Sequence, residues 1–178
     1  MKSKILWAGT LFMAVLLSDG NWNIDTEAAK INFSVKGPFG TVHGSFSGLK
    51  ATIQFNEKDL AASSVSASVS AKTVSTGIGM RNHDLRSEEK WLNTDKYAEI
   101  SFRSKKIEKT DKGYKANGEL TLKGVTKAIE IPFTFAANGS SGVFKGTFTI
   151  NREDFNVGKK GGSVGSIITI NLEVPVKK

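Results

Sequence analysis

The sequence contains no cysteine, which excludes disulfide bonds, thiolate metal sites and cysteine nucleophiles. It has only two histidines, His43 and His83, and their separation leaves no closely spaced pair of imidazole ligands. The one stretch that resembles a nucleophile elbow, residues 44–48, has Phe46 where that motif needs serine. A phosphate-binding loop ending at Lys159 would need glycine where Glu153 stands. We therefore predict no catalytic residues, no metal site and no cofactor.

Long apolar runs are also absent, except near the start of the chain. Lys2 and Lys4 precede a run of apolar residues at 5–17, and small residues follow at Ser18 and Gly20. This layout is typical of a secretory signal peptide, and the run is short for a membrane span. We expect residues 1–20 to be a signal peptide and residues 21–178 to be a periplasmic or secreted domain; an uncleaved anchor is the alternative.

The charge balance is strongly positive, with 25 Lys and Arg against 17 Asp and Glu and a net charge of +8. Loss of residues 1–20 would remove two lysines and one aspartate and lower the net charge to +7. The densest basic runs, at 103–109 and 159–160, do not interleave with aromatic residues as single-strand nucleic-acid surfaces do. We predict no nucleic-acid partner. A solvated surface, peripheral contact with an anionic membrane and attraction to a phosphorylated ligand all fit this charge.

Apolar and polar residues alternate through most of the chain after residue 21, which is the period of half-buried β-strands. The clearest case is residues 114–122, where Tyr114, Ala116 and Leu120 share one face and Lys115 and Glu119 the other. About eight such segments follow one another with short turns. An open sheet of this kind would expose its edges, whereas a closed barrel buries the apolar face and has no edges. The pattern predicts an all-β fold, an eight-stranded antiparallel β-barrel.

A barrel of this size is either filled by its side chains or holds one ligand, and periodicity does not decide between the two. Glycines at Gly44, Gly118 and Gly146 fall on inward faces, where they either ease the bend of the wall or leave volume for a ligand. Nine strand residues are predicted to line a ligand cavity. They are Phe33, Val35, Phe46, Phe102, Leu120, Leu122, Phe133, Phe148 and Ile170.

The alternation stops at residues 76–93, TGIGMRNHDLRSEEKWLN. We predict a short helical insertion after the third strand, at about residues 79–93, with Asp84 as its cap and Leu85 and Leu92 on one face. This insertion would close one barrel end as a lid over the cavity. Four of its side chains are predicted to face the ligand: Ile78, Met80, Leu85 and Trp91. Two basic side chains are predicted at the rim as head-group contacts: Arg81 and Arg86.

Several stretches resemble the YceI-like family and occur in its order: VKGPFGTVHGSFSGLKATIQF, TGIGMRNHDL, YAEISFRSKKI, GELTLKGVTKAIEIPFTF and INREDFNVG. The resemblance spans roughly residues 22–176 and implies a lipocalin-like barrel, usually exported, that binds a polyisoprenoid-type lipid in its lumen. The family pattern Arg-Asp-x-His-Leu is matched at Arg81 and Leu85 only. Asn82 stands at the Asp position and Asp84 at the His position, so a role of the family's histidine does not transfer to His83.

Residues and resemblance together predict a lipid-binding protein that holds a polyisoprenoid, isoprenoid quinone or similar long apolar ligand for transport, storage or sequestration. A lipid-modifying or isomerase-type enzyme is a second hypothesis, with His83 and Asp84 as its local acid–base pair. A filled barrel with a structural or stress role is the third. Both a monomer and a homodimer remain open at this point.

Overall fold

The computed structural model describes residues 20–178, so the predicted signal peptide lies, apart from Gly20, outside the described residues. Ten strands and one α-helix follow in chain order: β1 Asn21–Ile24, β2 Lys30–Gly37, β3 Gly40–Phe46, β4 Lys50–Gln54, β5 Ser64–Ser70, α1 Gly79–Ser87, β6 Glu99–Thr110, β7 Gly113–Leu122, β8 Val125–Asn138, β9 Ser141–Asn151 and β10 Ile167–Lys177. Short 3-10 helices occupy Ala71–Thr73 and Arg152–Phe155. No helix among residues 20–178 has the length and apolar character needed to cross a bilayer.

The ten strands form one closed antiparallel barrel of eight long strands. Strands β1 and β2 both pair with β10, so together they make the first long strand. Strands β3 and β4 make the second, because β3 pairs with β2 while β4 pairs with β1 and β5. From β5 to β10 each strand pairs with the next in the chain. This confirms the predicted eight-stranded barrel, with α1 following the third long strand.

Both breaks in the first two long strands have local causes. Between β1 and β2, the Asp25 side chain accepts a hydrogen bond from the Ala28 amide (3.1 Å), an Asx-type turn that interrupts the strand. Between β3 and β4, Gly48 has φ +73°, a conformation that favours glycine. The alternating pattern from Val42 to Phe55 predicts one continuous strand, and that prediction is wrong at residues 47–49.

One part of the barrel wall is not a strand ladder. Near the end of the barrel where β2 turns into β3, the segment at residues 71–78, here called the strap, lies against β3. Ser45 and Ser75 exchange two backbone hydrogen bonds of 2.8 and 3.0 Å, and the Ser47 amide donates to Thr73 Oγ1 (3.1 Å). The Ala71 amide donates to the Ala98 carbonyl just before β6. The strap therefore continues the third long strand and joins β3 to the start of β6.

The glycines on inward faces accommodate neighbouring groups. A Cβ on Gly118 would lie 2.6 Å from the ring of Phe102, and one on Gly44 would overlap the ring of Phe33. A Cβ on Gly146 would lie 2.9 Å from the Pro132 carbonyl oxygen. Aromatic rings and backbone therefore occupy the space that these missing side chains leave, as is common for glycine within a strand.

Six aromatic rings close one end of the barrel. We call this group the aromatic floor: Trp22, Phe55, Tyr114, Phe133, Phe135 and Phe144. Phe55 is 2% exposed and lies at its centre, with its ring centroid 5.0–5.6 Å from four of the other rings. Most of these contacts are edge-to-face, the arrangement that the ring quadrupole favours. The floor leaves the opposite end as the route to the interior.

Candidate functional site

The barrel contains an apolar cavity of about 630 Å³. It begins at Phe133 and Phe144 of the aromatic floor and extends to the other end of the barrel. We call that end the mouth. Three segments border it: the β2–β3 turn at residues 37–40, helix α1, and the loop at residues 156–166, here called the mouth loop. A cavity of this volume falls within the range of small-molecule and cofactor sites.

Eleven of the thirteen residues predicted to contact a ligand line this cavity. They are Phe33, Val35, Phe46, Leu85, Trp91, Phe102, Leu120, Leu122, Phe133, Phe148 and Ile170. The strand residues come together because their two-residue period places them all on the inner face of the barrel. That these side chains contact a ligand stays a prediction.

Ile78 and Met80 do not line the cavity. Their side chains are 49% and 79% exposed. Helix α1 presents Arg81, Asp84 and Leu85 to the cavity, at the i, i+3, i+4 spacing of one helical face. Met80 lies about 100° away from Arg81 around the helix, and Ile78 precedes the helix. The expectation that both face inward is therefore not met.

The helix begins where the predicted insertion begins but ends earlier, at Ser87, and it is held differently. Its first residue is Gly79, and Ile78 occupies the cap position without a side-chain hydrogen bond, so Asp84 is inside the helix and does not cap it. Its N-terminal end is held by Asn82, whose Oδ1 accepts hydrogen bonds from the amide (2.7 Å) and hydroxyl (2.8 Å) of Thr76. Contacts to the strap thus position the helix and take the place of a standard N-terminal cap.

Residues after α1 complete a cover over the mouth. The Leu92 amide donates to the Leu85 carbonyl (3.0 Å), and Leu92 is buried. Trp91 is half-buried and lines the cavity. Its ring packs so closely on Gly158 of the mouth loop that a Cβ there would lie 2.5 Å away. Trp91 is therefore not exposed, which agrees with a lid.

The two rim arginines differ in their surroundings. Arg81 lines the cavity, is half-buried and forms no hydrogen bond or ion pair within residues 20–178. Arg86 lies outside the lining and donates from Nη2 to the Val74 carbonyl (2.7 Å), while its Nε is buried without a partner. Arg81 is thus available to a ligand at the mouth, whereas Arg86 ties the helix to the strap.

A third arginine, Arg152, organises the mouth loop and was not singled out from the sequence as a site residue. It is 2% exposed and also lines the cavity. Its guanidinium donates to the carbonyls of Val157 (2.7 Å), Val164 (2.6 Å) and Gly165 (2.9 Å). A longer pair of contacts, at 3.3 Å, reaches the Lys159 carbonyl. Val157 and Val164 line the cavity, so Arg152 positions two residues of the cavity lining.

Glu153 supports the same loop. Its Oε1 accepts from Arg152 Nη2 (3.4 Å) and from the Gly161 amide (3.0 Å). The signal in the sequence was an Arg-Glu pair at a strand end, followed by a glycine-rich loop whose backbone carbonyls lack ladder partners. Such carbonyls need donors when they are buried, and an arginine supplies five.

Neither histidine lies in the cavity. His43 and His83 are both exposed, whereas Asp84 lines the mouth. The acid–base pair of the enzyme hypothesis is therefore not assembled on one surface. Within the part of the chain that the structure describes, no three His, Asp or Glu side chains are grouped as metal ligands would be.

The aromatic floor contains one titratable contact. Tyr114 Oη donates a 2.6 Å hydrogen bond to Glu57 Oε1, in the loop after β4. This hydrogen bond, with burial of the ring as a second cause, raises the pKa of Tyr114 from 10.0 to about 12. The contact fixes that loop under the floor while the phenol keeps its proton.

The raised pKa predicts a loss of stability at high pH. Because the folded protein holds the Tyr114 proton more tightly than the unfolded chain, the contribution is complete below pH 10 and lost as the pH rises through about 12. The free energy of unfolding should fall more steeply over this range in the wild type than in Tyr114→Phe, as measured by urea unfolding at each pH. Tyr97→Phe is the control and should keep the wild-type slope; equal slopes for all three proteins would contradict the assignment.

Comparisons with known proteins agree with this geometry. The family model described as YceI-like domain matches residues 22–176. A UPF0312 protein of Yersinia enterocolitica is 30% identical, with 92% of this chain and 90% of that protein covered. Protein YceI of Escherichia coli is 28% identical, with 98% and 97% covered.

Among solved structures, Burkholderia cenocepacia BcnA superposes with a TM-score of 0.80 at 25% identity, covering 86% of this chain and 99% of that one. A polyisoprenoid binding domain from Saccharophagus degradans superposes with a TM-score of 0.69, covering 89% and 98%. At 14% identity this second likeness shows the fold alone.

Proposed function

The chain belongs to the YceI-like family, and we propose that it is a lipid-binding protein that holds a polyisoprenoid, isoprenoid quinone or similar long apolar ligand in its barrel for transport, storage or sequestration. The observation that carries this proposal is the apolar cavity of about 630 Å³, closed by rings at one end and reached from the other. The polyisoprenoid binding domain from Saccharophagus degradans shares the fold, which supports the choice of ligand class.

The shape of the cavity suits a chain-like ligand. Strand β7 has ten residues and, at about 3.3 Å per residue, extends for about 33 Å along the wall. Each methylene that leaves water contributes about 0.8 kcal/mol, so a chain of several isoprene units has enough driving force to offset the cost of ordering it. Apolar side chains from every long strand provide the contact.

The polar end of the ligand belongs at the mouth. The aromatic floor offers no charged group to the cavity, whereas Arg81 lines the mouth without a protein partner among the described residues. An arginine in that position recognises phosphate or pyrophosphate through paired hydrogen bonds. We assign the head-group contact to Arg81 and not to Arg86, which is engaged with Val74.

A binding role is favoured over the two alternatives. An enzyme would need an acid–base pair at the ligand, but Asp84 faces the cavity while His83 is exposed to solvent. A filled barrel would leave no cavity of this volume. We further propose that the protein is exported to the periplasm or secreted, on the basis of the charged and apolar segments in residues 1–20 and the lack of cysteine.

Native mass spectrometry after detergent-free purification tests the proposed function. We expect the wild-type protein, made in a bacterial host, to carry an added mass that solvent extraction identifies as an isoprenoid lipid. Protein stripped of this lipid should take up undecaprenyl phosphate or a long-chain ubiquinone in stoichiometric amount. A protein that shows only its own mass from two different hosts, and takes up neither probe, would contradict the proposal.

A further inference from the structure

Exposed apolar side chains are concentrated at the mouth. Within residues 20–178 the large hydrophobic side chains that stand exposed are Phe39 (102%), Met80 (79%), Ile167 (53%) and Ile78 (49%). Phe39 is at the tip of the β2–β3 turn. Ile78 comes directly before α1, and Met80 is in its first turn, away from the side of the helix that lines the cavity. Ile167 begins β10 beside the mouth loop, whose Gly165 amide donates to the Lys36 carbonyl (2.7 Å).

The opposite end of the barrel has a different character. Its turns carry Asp111 and Lys112 between β6 and β7, and Gly139 and Ser140 between β8 and β9. These tips are polar, as loop tips in soluble proteins usually are. Because the turns at the other end of the same barrel are polar, the exposed apolar side chains are a feature of the mouth and not of its turns in general.

Lysines accompany the apolar tips. Lys36 adjoins the β2–β3 turn, and Lys159 and Lys160 stand in the exposed part of the mouth loop. None of the three forms an ion pair within residues 20–178. The acidic Glu153, just before the mouth loop, is already bound to Arg152, and Glu88 is paired with Lys90 (2.6 Å). Unpaired lysines beside exposed aliphatic and aromatic tips complement a surface that is anionic outside and apolar beneath.

We propose that the mouth docks on an anionic lipid bilayer, with Phe39, Ile78, Met80 and Ile167 entering the interface and the lysines contacting the head groups. The tips stand on three separate segments, which are the β2–β3 turn, the start of α1 and the start of β10, whereas a protein partner buries one contiguous patch. A fluid bilayer accepts separate tips. The four exposed side chains are then explained together.

This inference rests on the proposed function, because it gives the lipid a route that avoids water. The aromatic floor blocks the other end, so a ligand enters and leaves only between the segments that carry the apolar tips. With the mouth on the bilayer, an isoprenoid chain passes from membrane to cavity without exposing its length to solvent.

Vesicle co-sedimentation tests the docking surface. The wild-type protein should bind vesicles of phosphatidylcholine with one-third phosphatidylglycerol, bind pure phosphatidylcholine weakly, and bind less as salt is raised. Two double variants, Ile78→Ser with Met80→Ser and Lys159→Glu with Lys160→Glu, should each lower the partition coefficient roughly tenfold or more. None of these four side chains lines the cavity, so ligand uptake by stripped protein should be retained.

The matched control reverses two exposed lysines at the other end of the barrel. Lys109→Glu with Lys112→Glu changes the net charge equally and should keep vesicle binding within about twofold, because these residues face away from the membrane. Equal loss in both charge-reversal variants would overturn the proposal, since binding would then follow net charge alone. So would a wild-type protein that ignores anionic vesicles, or a wild-type dimer that the Ile78 and Met80 variant converts to a monomer, since that would assign the tips to a second copy.

The docking and the lipid-binding function fail in distinguishable ways. Protein that carries isoprenoid lipid in native mass spectrometry but never binds vesicles would overturn the docking alone. Protein that binds anionic vesicles through the mouth but never carries lipid would support the docking and contradict the lipid-binding function.

Discussion

Replacing Ala67 with tryptophan will abolish lipid occupancy while leaving the barrel folded. Ala67 on β5 is paired with Ala51 on β4, and both line the cavity. Two neighbouring alanines on the inner face leave this part of the lumen wide. A tryptophan side chain in place of one of them would occupy the volume that a ligand needs. We expect the fraction of lipid-bound protein in native mass spectrometry to fall at least tenfold, because overpacking against a bound chain costs roughly 1–3 kcal/mol or more.

A control on the same strand separates filling the lumen from adding an indole. Ser66 is the neighbour of Ala67 and is exposed on the outer face of β5, so Ser66→Trp should retain wild-type occupancy. The stripped Ala67→Trp protein should melt no lower than the stripped wild type, because the ring fills an empty cavity. If it fails to fold, Ala51→Phe offers the same obstruction from β4. Full lipid occupancy in a folded Ala67→Trp protein would contradict the location of the ligand.

Replacing Arg152 with methionine will cause a large loss in the free energy of unfolding. Methionine keeps much of the length of the side chain but leaves the buried carbonyl of Val157 and the partly buried carbonyls of Val164 and Gly165 without their donor. Each unsatisfied buried group costs about 1–3 kcal/mol, so we expect a loss of about 3 kcal/mol in the free energy of unfolding. That is a large part of the roughly 5–15 kcal/mol of a typical domain.

Urea unfolding measures this loss, and limited proteolysis locates it. The mouth loop should become the first cleavage site, because its backbone loses the guanidinium that holds it. Arg152→Lys should recover only part of the stability, since an ammonium cannot match the fork of donors. Arg103→Met, on the exposed face of β6, should change stability by less than about 0.5 kcal/mol. Equal stability of the two methionine variants would remove Arg152 from its assigned role.

The strands were predictable because a two-residue period reports directly which side of a wall each residue faces. Leu120 and Leu122 face inward in the structure as the pattern predicts. The insertion at residues 76–93 was predictable in kind but not in detail. Its helix is held by Thr76, Asn82 and the strap, and these contacts leave no periodic signature. For that reason Asp84 was misplaced as a cap and Met80 was expected to face the cavity.

Arg152 shows a second limit of sequence interpretation. Its environment consists of backbone carbonyls five to thirteen residues further along the chain. Every residue type has a backbone carbonyl, so no pattern of side chains reveals where a loop will gather several of them. Its burial follows from the path of the mouth loop, which becomes visible only in three dimensions.

The strap makes the barrel adjustable at one place. From β5 to β10 the circumference is set by ladders of five to eleven residue pairs, and widening it there would break a row of hydrogen bonds together. Between β3 and the strap, the wall is joined by the Ser45–Ser75 pair and the Thr73 hydroxyl among the described residues. The lumen can therefore widen by a shift of this one short segment with its helix, while strands β5 to β10 keep their register. In this architecture the width of the lumen at the mouth depends on an insertion of about two dozen residues. The sequence of this insertion can change without altering the barrel that supports it.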